Sequence, residues 1–80
     1  MSWRPSPFVV GQRYRVNKSF ASAFSNFTAD ETLVFEKEQY SRYDSSSVYV
    51  FRNVSSNEAK EWWLHDEQPL ESWQEYFQPI

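Results

Sequence analysis

The sequence contains no cysteine, a single glycine and a single histidine among its 80 residues. Without cysteine it can form neither a disulfide framework nor a thiolate metal site. A zinc site needs about four ligands, and one imidazole falls short of that number. Because Gly11 stands alone, no glycine-rich loop is available to hold a phosphate. We therefore predict no cofactor, no metal ligand and no nucleotide chemistry.

Long apolar runs are also missing. No stretch approaches the roughly 20 residues that span a bilayer, and residues 1–7 lack the apolar segment of a secretory signal. We expect a cytoplasmic protein without a membrane segment. The length favours a single domain over residues 1–80, and residues 1–8, which place proline and aromatic residues in a polar setting, are interpreted as a flexible or loosely packed arm.

Groups suited to catalysis are few. His65 is the only imidazole, and a triad would also need a nucleophile and an orienting group that the sequence does not place. Together with Asp66 and Glu67 it offers at most a weak metal contact. We expect no catalytic residue and no enzymatic activity. An enzyme would instead show a deep pocket that holds His65 beside a carboxylate.

Aromatic residues, in contrast, make up 20% of the chain. A domain this short buries only roughly 60–65% of its unfolded surface, and each aromatic side chain can bury about 150–250 Å². The excess of rings therefore serves first to stabilise a small core. Only the rings left outside that core indicate binding.

Four segments have the composition of β-strands. Residues 12–20 and 31–38 alternate between apolar and polar side chains, as half-buried strands do. Their predicted inward-facing residues are Tyr14, Val16, Phe20, Leu33 and Phe35. Residues 48–51 are almost pure strand formers. Residues 60–65 carry adjacent tryptophans, Trp62 and Trp63, which must point to opposite faces of a strand.

Two further segments do not follow the strand pattern. Residues 21–30 hold phenylalanines among small residues, and we favour a loop there over a helical turn. In residues 68–78, Leu70, Trp73 and Phe77 recur with helical spacing, which predicts a short amphipathic helix over the open side of the sheet. The whole pattern predicts a mainly β fold, a small barrel or a curled antiparallel sheet of four to five strands with a short C-terminal helix.

Three motifs resemble the SH3-like barrels. The run YRV at residues 14–16 leads to Phe20, the run DETLVF occupies residues 30–35, and the Trp62–Trp63 pair follows. The peptide-binding SH3 family has an aromatic strand, a long loop, an acidic-Leu-x-Phe strand and a Trp pair in this order, so the resemblance implies an SH3-like barrel. An additional hairpin at residues 40–53 and the absence of a C-terminal Gly-x-Phe-Pro-x-Asn-Tyr signature mean that the family's proline-binding groove is not implied.

A second resemblance is to small bacterial domains of unknown function. These share the opening GQRYRV, here at residues 11–16, and a Tyr-Asp turn before an aliphatic strand, here Tyr43 and Asp44 before Val48. This resemblance implies a bacterial or phage protein without an established activity.

The charge distribution bears on the partner. The formal net charge is −3; residues 1–20 hold four basic and no acidic side chains, and residues 58–80 hold six acidic side chains against Lys60 alone. An acidic chain repels the phosphate backbone that supplies most nucleic-acid affinity, whereas an acidic face can attract a basic protein.

We therefore predict a non-catalytic binding domain that recognises a protein or peptide, with a regulatory or inhibitor-like role, as a monomer or weak homodimer. An exposed sheet edge could also recruit an extended peptide or a second copy. The alternative is a face of aromatic and arginine side chains, including Arg52, that binds single-stranded nucleic acid. The candidate binding residues are Tyr40, Tyr43, Tyr49, Trp63, Arg13 and Arg15.

Overall fold

The computed structural model describes residues 6–22 and 25–80. The chain is mainly β, as predicted. Its elements are β1 (Arg13–Val16), β2 (Phe20–Ser22), β3 (Ser25–Phe27), β4 (Thr32–Ser41), β5 (Ser46–Asn53), β6 (Ala59–His65), a 3-10 turn (Leu70–Ser72), α1 (Trp73–Tyr76) and β7 (Phe77–Pro79). Five strands form an antiparallel sheet in the order β6-β5-β4-β1-β7, and β2 pairs with β3 as a separate hairpin. The sheet is curled and does not close into a barrel.

The four predicted strands correspond to β1, β4, β5 and β6. The hairpin of β4 and β5 is the longest, and its register shifts between Phe35 and Lys37, where Glu36 forms a bulge. A bulge bends and twists the strand that carries it, which helps to curl the sheet. Strand β5 is an interior strand between β4 and β6, and side chains on both faces of β5 are buried from Ser46 to Phe51.

Phe8 occupies the centre of the core. Its ring contacts seven other aromatic rings, with centroids 4.9–6.0 Å away; these belong to Tyr14, Phe35, Tyr49, Phe51, Trp62, Trp73 and Phe77. The backbone N–H of Val9 donates to the Tyr14 hydroxyl at 2.9 Å. The prediction that residues 1–8 form a loose arm was therefore wrong for Phe8, because an apolar ring of this size gains more from burial than the segment loses by being ordered. Residues 1–5 of that prediction lie outside the described part of the chain.

Residues 21–30 were predicted as a loop, and most of the hairpin formed by β2 and β3 lies within them. Its strands pair from Phe20–Phe27 to Ser22–Ser25, and the Phe20 and Phe27 rings stack at 4.7 Å with an interplanar angle of 6°. A cross-strand aromatic pair stabilises such a short hairpin. The loop prediction was wrong for residues 21–22 and 25–27, because the stacked Phe20 and Phe27 rings stabilise strand pairing there.

This hairpin covers the outer edge of β6. The Ser22 hydroxyl accepts a hydrogen bond from the Trp63 backbone N–H at 2.8 Å, and the Ser25 hydroxyl accepts from the Glu61 N–H at 3.1 Å. Both N–H groups would otherwise be open to a further strand. The edge at β6 is therefore not the exposed edge that the sequence suggested for strand recruitment.

The C-terminal helix is shorter than the predicted range 68–78. Helical turns extend only from Leu70 to Tyr76, and residues from Phe77 onwards form β7 on β1, with Phe77 opposite Val16. Pairing with β1 places the Phe77 ring in the core at 1% exposure, and this tertiary gain prevails over a helical spacing that has little intrinsic stability in so short a segment. Leu70 and Trp73 pack against the core from the helical turns.

A buried ion pair joins the hairpin to the sheet. Lys60 Nζ lies 2.6 Å from Glu31 Oε2, and the two side chains are only 11% and 7% exposed. Lys60 also donates to the Asn26 carbonyl at 2.5 Å, and Glu31 accepts from the Thr28 N–H at 3.0 Å and from the Asn53 amide. Burial alone would raise the pKa of Glu31, but the hydrogen bonds from Lys60, Thr28 and Asn53 outweigh it and lower that pKa below its ordinary value.

Candidate functional site

A groove runs along the covered edge of β6, between the β2–β3 hairpin and the helical turns. Its volume is about 290 Å³. We call it the aromatic groove and define it by its lining residues, Phe20, Ala21, Ser22, Trp62, Trp63, Leu64, Gln68, Pro69, Ser72, Glu75 and Tyr76. Two parts of the chain that are distant in the sequence therefore form its walls: β2 on one side, and β6 with the adjoining residues 68–76 on the other.

A chain of three rings underlies one wall. Phe27 stacks on Phe20, and Phe20 contacts Tyr76 with centroids 4.4 Å apart. A lysine lies near each end of this chain of three rings. Lys60 Nζ is 5.6 Å from the Phe27 centroid, and Lys18 Nζ is 5.0 Å from the Tyr76 centroid. Ring faces attract cations through their quadrupole, so both ends of the aromatic chain are suited to a positive charge.

The two lysines differ in exposure. Lys60 is locked in its buried pair with Glu31, whereas Lys18 pairs with Glu75 at 2.9 Å while their side chains are 51% and 58% exposed. The hydrogen bond from Lys18 to Glu75 raises the pKa of Lys18. Exposed ion pairs of this kind are weak. The pair beside Tyr76 is therefore open to exchange, and the pair beside Phe27 is not.

Among the described side chains that line the aromatic groove, Glu75 is the one that carries a charge. The Ser72 hydroxyl is buried and has no hydrogen-bond partner within the part of the chain that the structure describes. The Gln68 side-chain oxygen accepts from the His65 N–H at 2.8 Å, and Glu75 contributes a carboxylate. None of the described lining residues is basic. Because the Ser72 oxygen is itself buried, it lies behind the surface of the groove and is not exposed to a ligand.

Of the six predicted binding residues, only Trp63 lines the aromatic groove. The structure places Trp62 in the core at 4% exposure and leaves Trp63 half-buried on the opposite side of β6. The Trp63 indole N–H donates to Glu61 at 3.2 Å. The expectation that the two tryptophans point to opposite faces of the strand is thereby confirmed, and the buried one is Trp62.

The predicted tyrosines do not form one surface. Tyr43 is fully exposed in the turn between β4 and β5, and Tyr40 is 37% exposed and donates its hydroxyl to Asp66 at 2.5 Å. Tyr49 was wrongly predicted as a surface residue, since it is 0% exposed and its ring stacks on Trp62 at 5.5 Å. Side-chain alternation does not reveal this burial, because β5 is an interior strand that is buried on both faces.

Arg13 and Arg15 lie on the face of β1 opposite Tyr14 and are exposed. Arg13 pairs in register with Val34, and Val34 pairs with Arg52, so Arg13 and Arg52 flank Val34 on the outer face of the sheet. Arg52 is held by Glu36 at 2.7 Å, and the hydrogen bond from Arg52 lowers the pKa of Glu36. The carboxylate therefore interrupts the basic surface on which the nucleic-acid alternative depends.

His65 is exposed at the end of β6, where its Nδ1 accepts a hydrogen bond from the Glu67 N–H at 3.2 Å. It does not line the aromatic groove. Over residues 6–22 and 25–80, no group of three or more His, Cys, Asp or Glu side chains is arranged to hold a metal ion. In the same residues, no helix has both the length and the apolar character needed to cross a bilayer.

Sequence reasoning missed most of the aromatic groove. Phe20 was assigned to the core, and Ser22, Ser72 and Tyr76 were not singled out. No short motif connects these residues, because β2 and the C-terminal turns are far apart in the sequence and come together only in the folded chain. The one available signal was the acidic bias of residues 58–80, which includes Glu75.

Comparison with known proteins adds information on the fold. No protein-family model matches the chain, and no curated protein matches it in sequence. A solved structure of an integron cassette protein from the mobile metagenome of Vibrio cholerae is similar, with a TM-score of 0.72, 17% sequence identity, and coverage of 92% of this chain and 87% of that one. At this identity the similarity concerns the fold alone.

Proposed function

We propose that the chain is a non-catalytic binding domain that recognises a protein partner through the aromatic groove, in a regulatory or inhibitor-like role in the cytoplasm. The observation that carries this proposal is the groove itself, which is lined by the half-buried rings of Trp63 and Tyr76 and by the Glu75 carboxylate. Tryptophan and tyrosine dominate the energetics of protein interfaces because they bury large areas at low entropic cost.

The size of the groove supports a side chain as its ligand. Pockets for small molecules have volumes of about 300–1,000 Å³, and this one, at about 290 Å³, is at the lower limit. A partner protein needs only one or two side chains in such a depression, because its remaining contacts spread over the surrounding surface. The half-buried Trp63 provides an apolar anchor beside the depression.

The test is quantitative capture of partners by the tagged protein from the cells that produce it. Three forms are compared: wild type, Trp63→Ala and Tyr43→Ala. The Trp63 substitution keeps the backbone N–H that bonds to Ser22. Tyr43 is the matched control, because it is a fully exposed aromatic residue away from the groove. Circular dichroism and urea unfolding establish that both variants are folded.

We expect a protein that is captured by wild type and by Tyr43→Ala and is lost with Trp63→Ala, and that binds the purified chain directly in calorimetry. Truncation of a central aromatic anchor costs about 2 kcal/mol or more. Two results would contradict the proposal. One is the same set of captured proteins for all three forms; the other is capture that nuclease treatment abolishes, which would favour the nucleic-acid alternative.

A further inference from the structure

We propose that the aromatic groove binds a lysine or arginine side chain of the partner, and that this cation replaces Lys18 beside Tyr76 and Glu75. The inference rests on the proposed function and specifies its ligand. It starts from the chain's own contact: the Lys18 ammonium lies 5.0 Å from the Tyr76 centroid and 2.9 Å from a Glu75 carboxylate oxygen. The residues that hold this internal ammonium also line the groove.

The two ends of the ring chain provide an internal comparison. At the Phe27 end, Lys60 is enclosed, with an 11% exposed side chain, and makes short contacts with Glu31 and the Asn26 carbonyl. At the Tyr76 end, Lys18 is half exposed and has one carboxylate partner. Each end combines a ring face with a carboxylate, so both ends favour a cationic group. Only the Tyr76 end can be reached from outside.

The electrostatic surroundings favour a cation from outside. Lys60 is the only lysine or arginine in residues 58–80, and its pair with Glu31 removes it from the surface. Glu67 and Glu71, which flank lining residues Gln68 and Ser72 along the chain, are exposed. Apart from Lys18, which the incoming cation would replace, and the paired Lys60, the charges named here are negative, and negative charges attract a partner of the opposite sign.

Hydrogen bonding is consistent with a cationic donor. Lysine presents three N–H donors and arginine five, and neither has an acceptor. The groove offers the exposed carboxylate of Glu75 as the acceptor. An incoming ammonium or guanidinium group would donate to this carboxylate while its aliphatic stem lies against Phe20 and Tyr76.

The first experiment titrates the full chain, labelled with ¹⁵N, with a capped hexapeptide of alternating lysine and glycine, and follows backbone amide shifts. An arginine–glycine peptide and a glutamate–glycine peptide are run in parallel. Physiological ionic strength is used, because exposed charges separated by more than about 8 Å are then largely screened. We expect saturable shifts at Ser22, Ser72 and Tyr76 with both basic peptides and none with the acidic one.

Matched variants separate a site from general attraction. Glu75→Gln should weaken binding of the basic peptides by about five-fold or more, since it removes the carboxylate that would pair with the cation. Lys18→Gln should tighten binding by about two- to five-fold, because it removes the internal competitor from the ring face. The controls Glu58→Gln and Lys37→Gln make the same charge changes at exposed positions outside the groove and should alter affinity by less than about two-fold.

The inference is overturned if each control changes affinity as much as its matched variant, if shifts scatter over the acidic surface without saturation, or if no shift occurs at the groove. It is equally overturned if a captured partner depends on Trp63 but is insensitive to both Glu75→Gln and Lys18→Gln. In that last case the proposed function survives and only the cationic ligand fails. If capture is independent of Trp63, the proposed function fails on its own experiment.

Discussion

Replacing Phe8 with alanine should remove a large part of the stability of this domain. The Phe8 ring is 4% exposed and contacts seven other rings. Substitution of a buried phenylalanine by alanine costs about 3–5 kcal/mol, because the lost transfer free energy is joined by the cost of the cavity. An 80-residue domain has about 4–12 kcal/mol in total at the usual stability per residue. Phe8→Ala should therefore leave the domain close to its unfolding threshold.

The assay is urea unfolding followed by circular dichroism and by tryptophan fluorescence, together with a thermal scan. For a domain of this size each 1 kcal/mol shifts Tm by about 4–8 °C, so we expect a drop of at least about 12 °C. The control is Val9→Ala, since Val9 is the next residue and is 63% exposed; it should change the free energy of unfolding by no more than about 0.5 kcal/mol. If Phe8→Ala costs less than about 1 kcal/mol, or no more than its control, the ring is not central to the core and residues 6–8 behave as a loose arm.

Three further predictions concern the polar and backbone features. Glu31→Gln should lower the free energy of unfolding by about 3 kcal/mol, because it leaves the buried Lys60 ammonium without its counter-charge. Since the folded pKa of Glu31 is below its ordinary value of 4.5, its contribution is fully present above that pH and is lost as the pH falls through the folded pKa; urea titrations should find this loss in wild type and not in the variant. Gly11 has a φ of 85° and nothing within 4 Å of an added Cβ, so Gly11→Ala should cost about 1–2 kcal/mol from backbone strain alone, and a more stable variant would refute this. Replacing Ser22 and Ser25 by alanine should speed amide exchange at Trp63 and Glu61, whose N–H groups lose their acceptors; unchanged exchange rates would show that the hydroxyls do not protect this edge.

Strand prediction succeeded where one face of a segment is buried and the other is not. Strand β1 alternates exposed and buried positions, and β6 keeps Trp62 inside and Trp63 half outside, as the period-two pattern indicated. The prediction that Tyr49 is a surface residue was wrong, because β5 lies between β4 and β6 and is covered on both faces. A sequence pattern does not reveal how many neighbours a strand will have.

The candidate site was less accessible to prediction. Trp63 was identified because it adjoins another tryptophan, but its companions Phe20 and Tyr76 were not. Phe20 reaches the groove through the β2–β3 hairpin, and Tyr76 reaches it because Phe77 leaves the helix to pair with β1. Both events depend on contacts between residues far apart in the chain, which local periodicity does not encode.

Composition and local pattern alone determined that this chain forms a mainly β domain with a core built from aromatic rings, because ring area and side-chain alternation are properties of the residues themselves. The curl of the sheet, the recruitment of Phe8 into the core, the covering of β6 by serine hydroxyls and the assembly of the aromatic groove were decided only by tertiary structure. Each of these features depends on contacts between segments that are distant in the sequence. The free energy comes from the apolar surface that the segments bury against each other, and neither segment gains it alone.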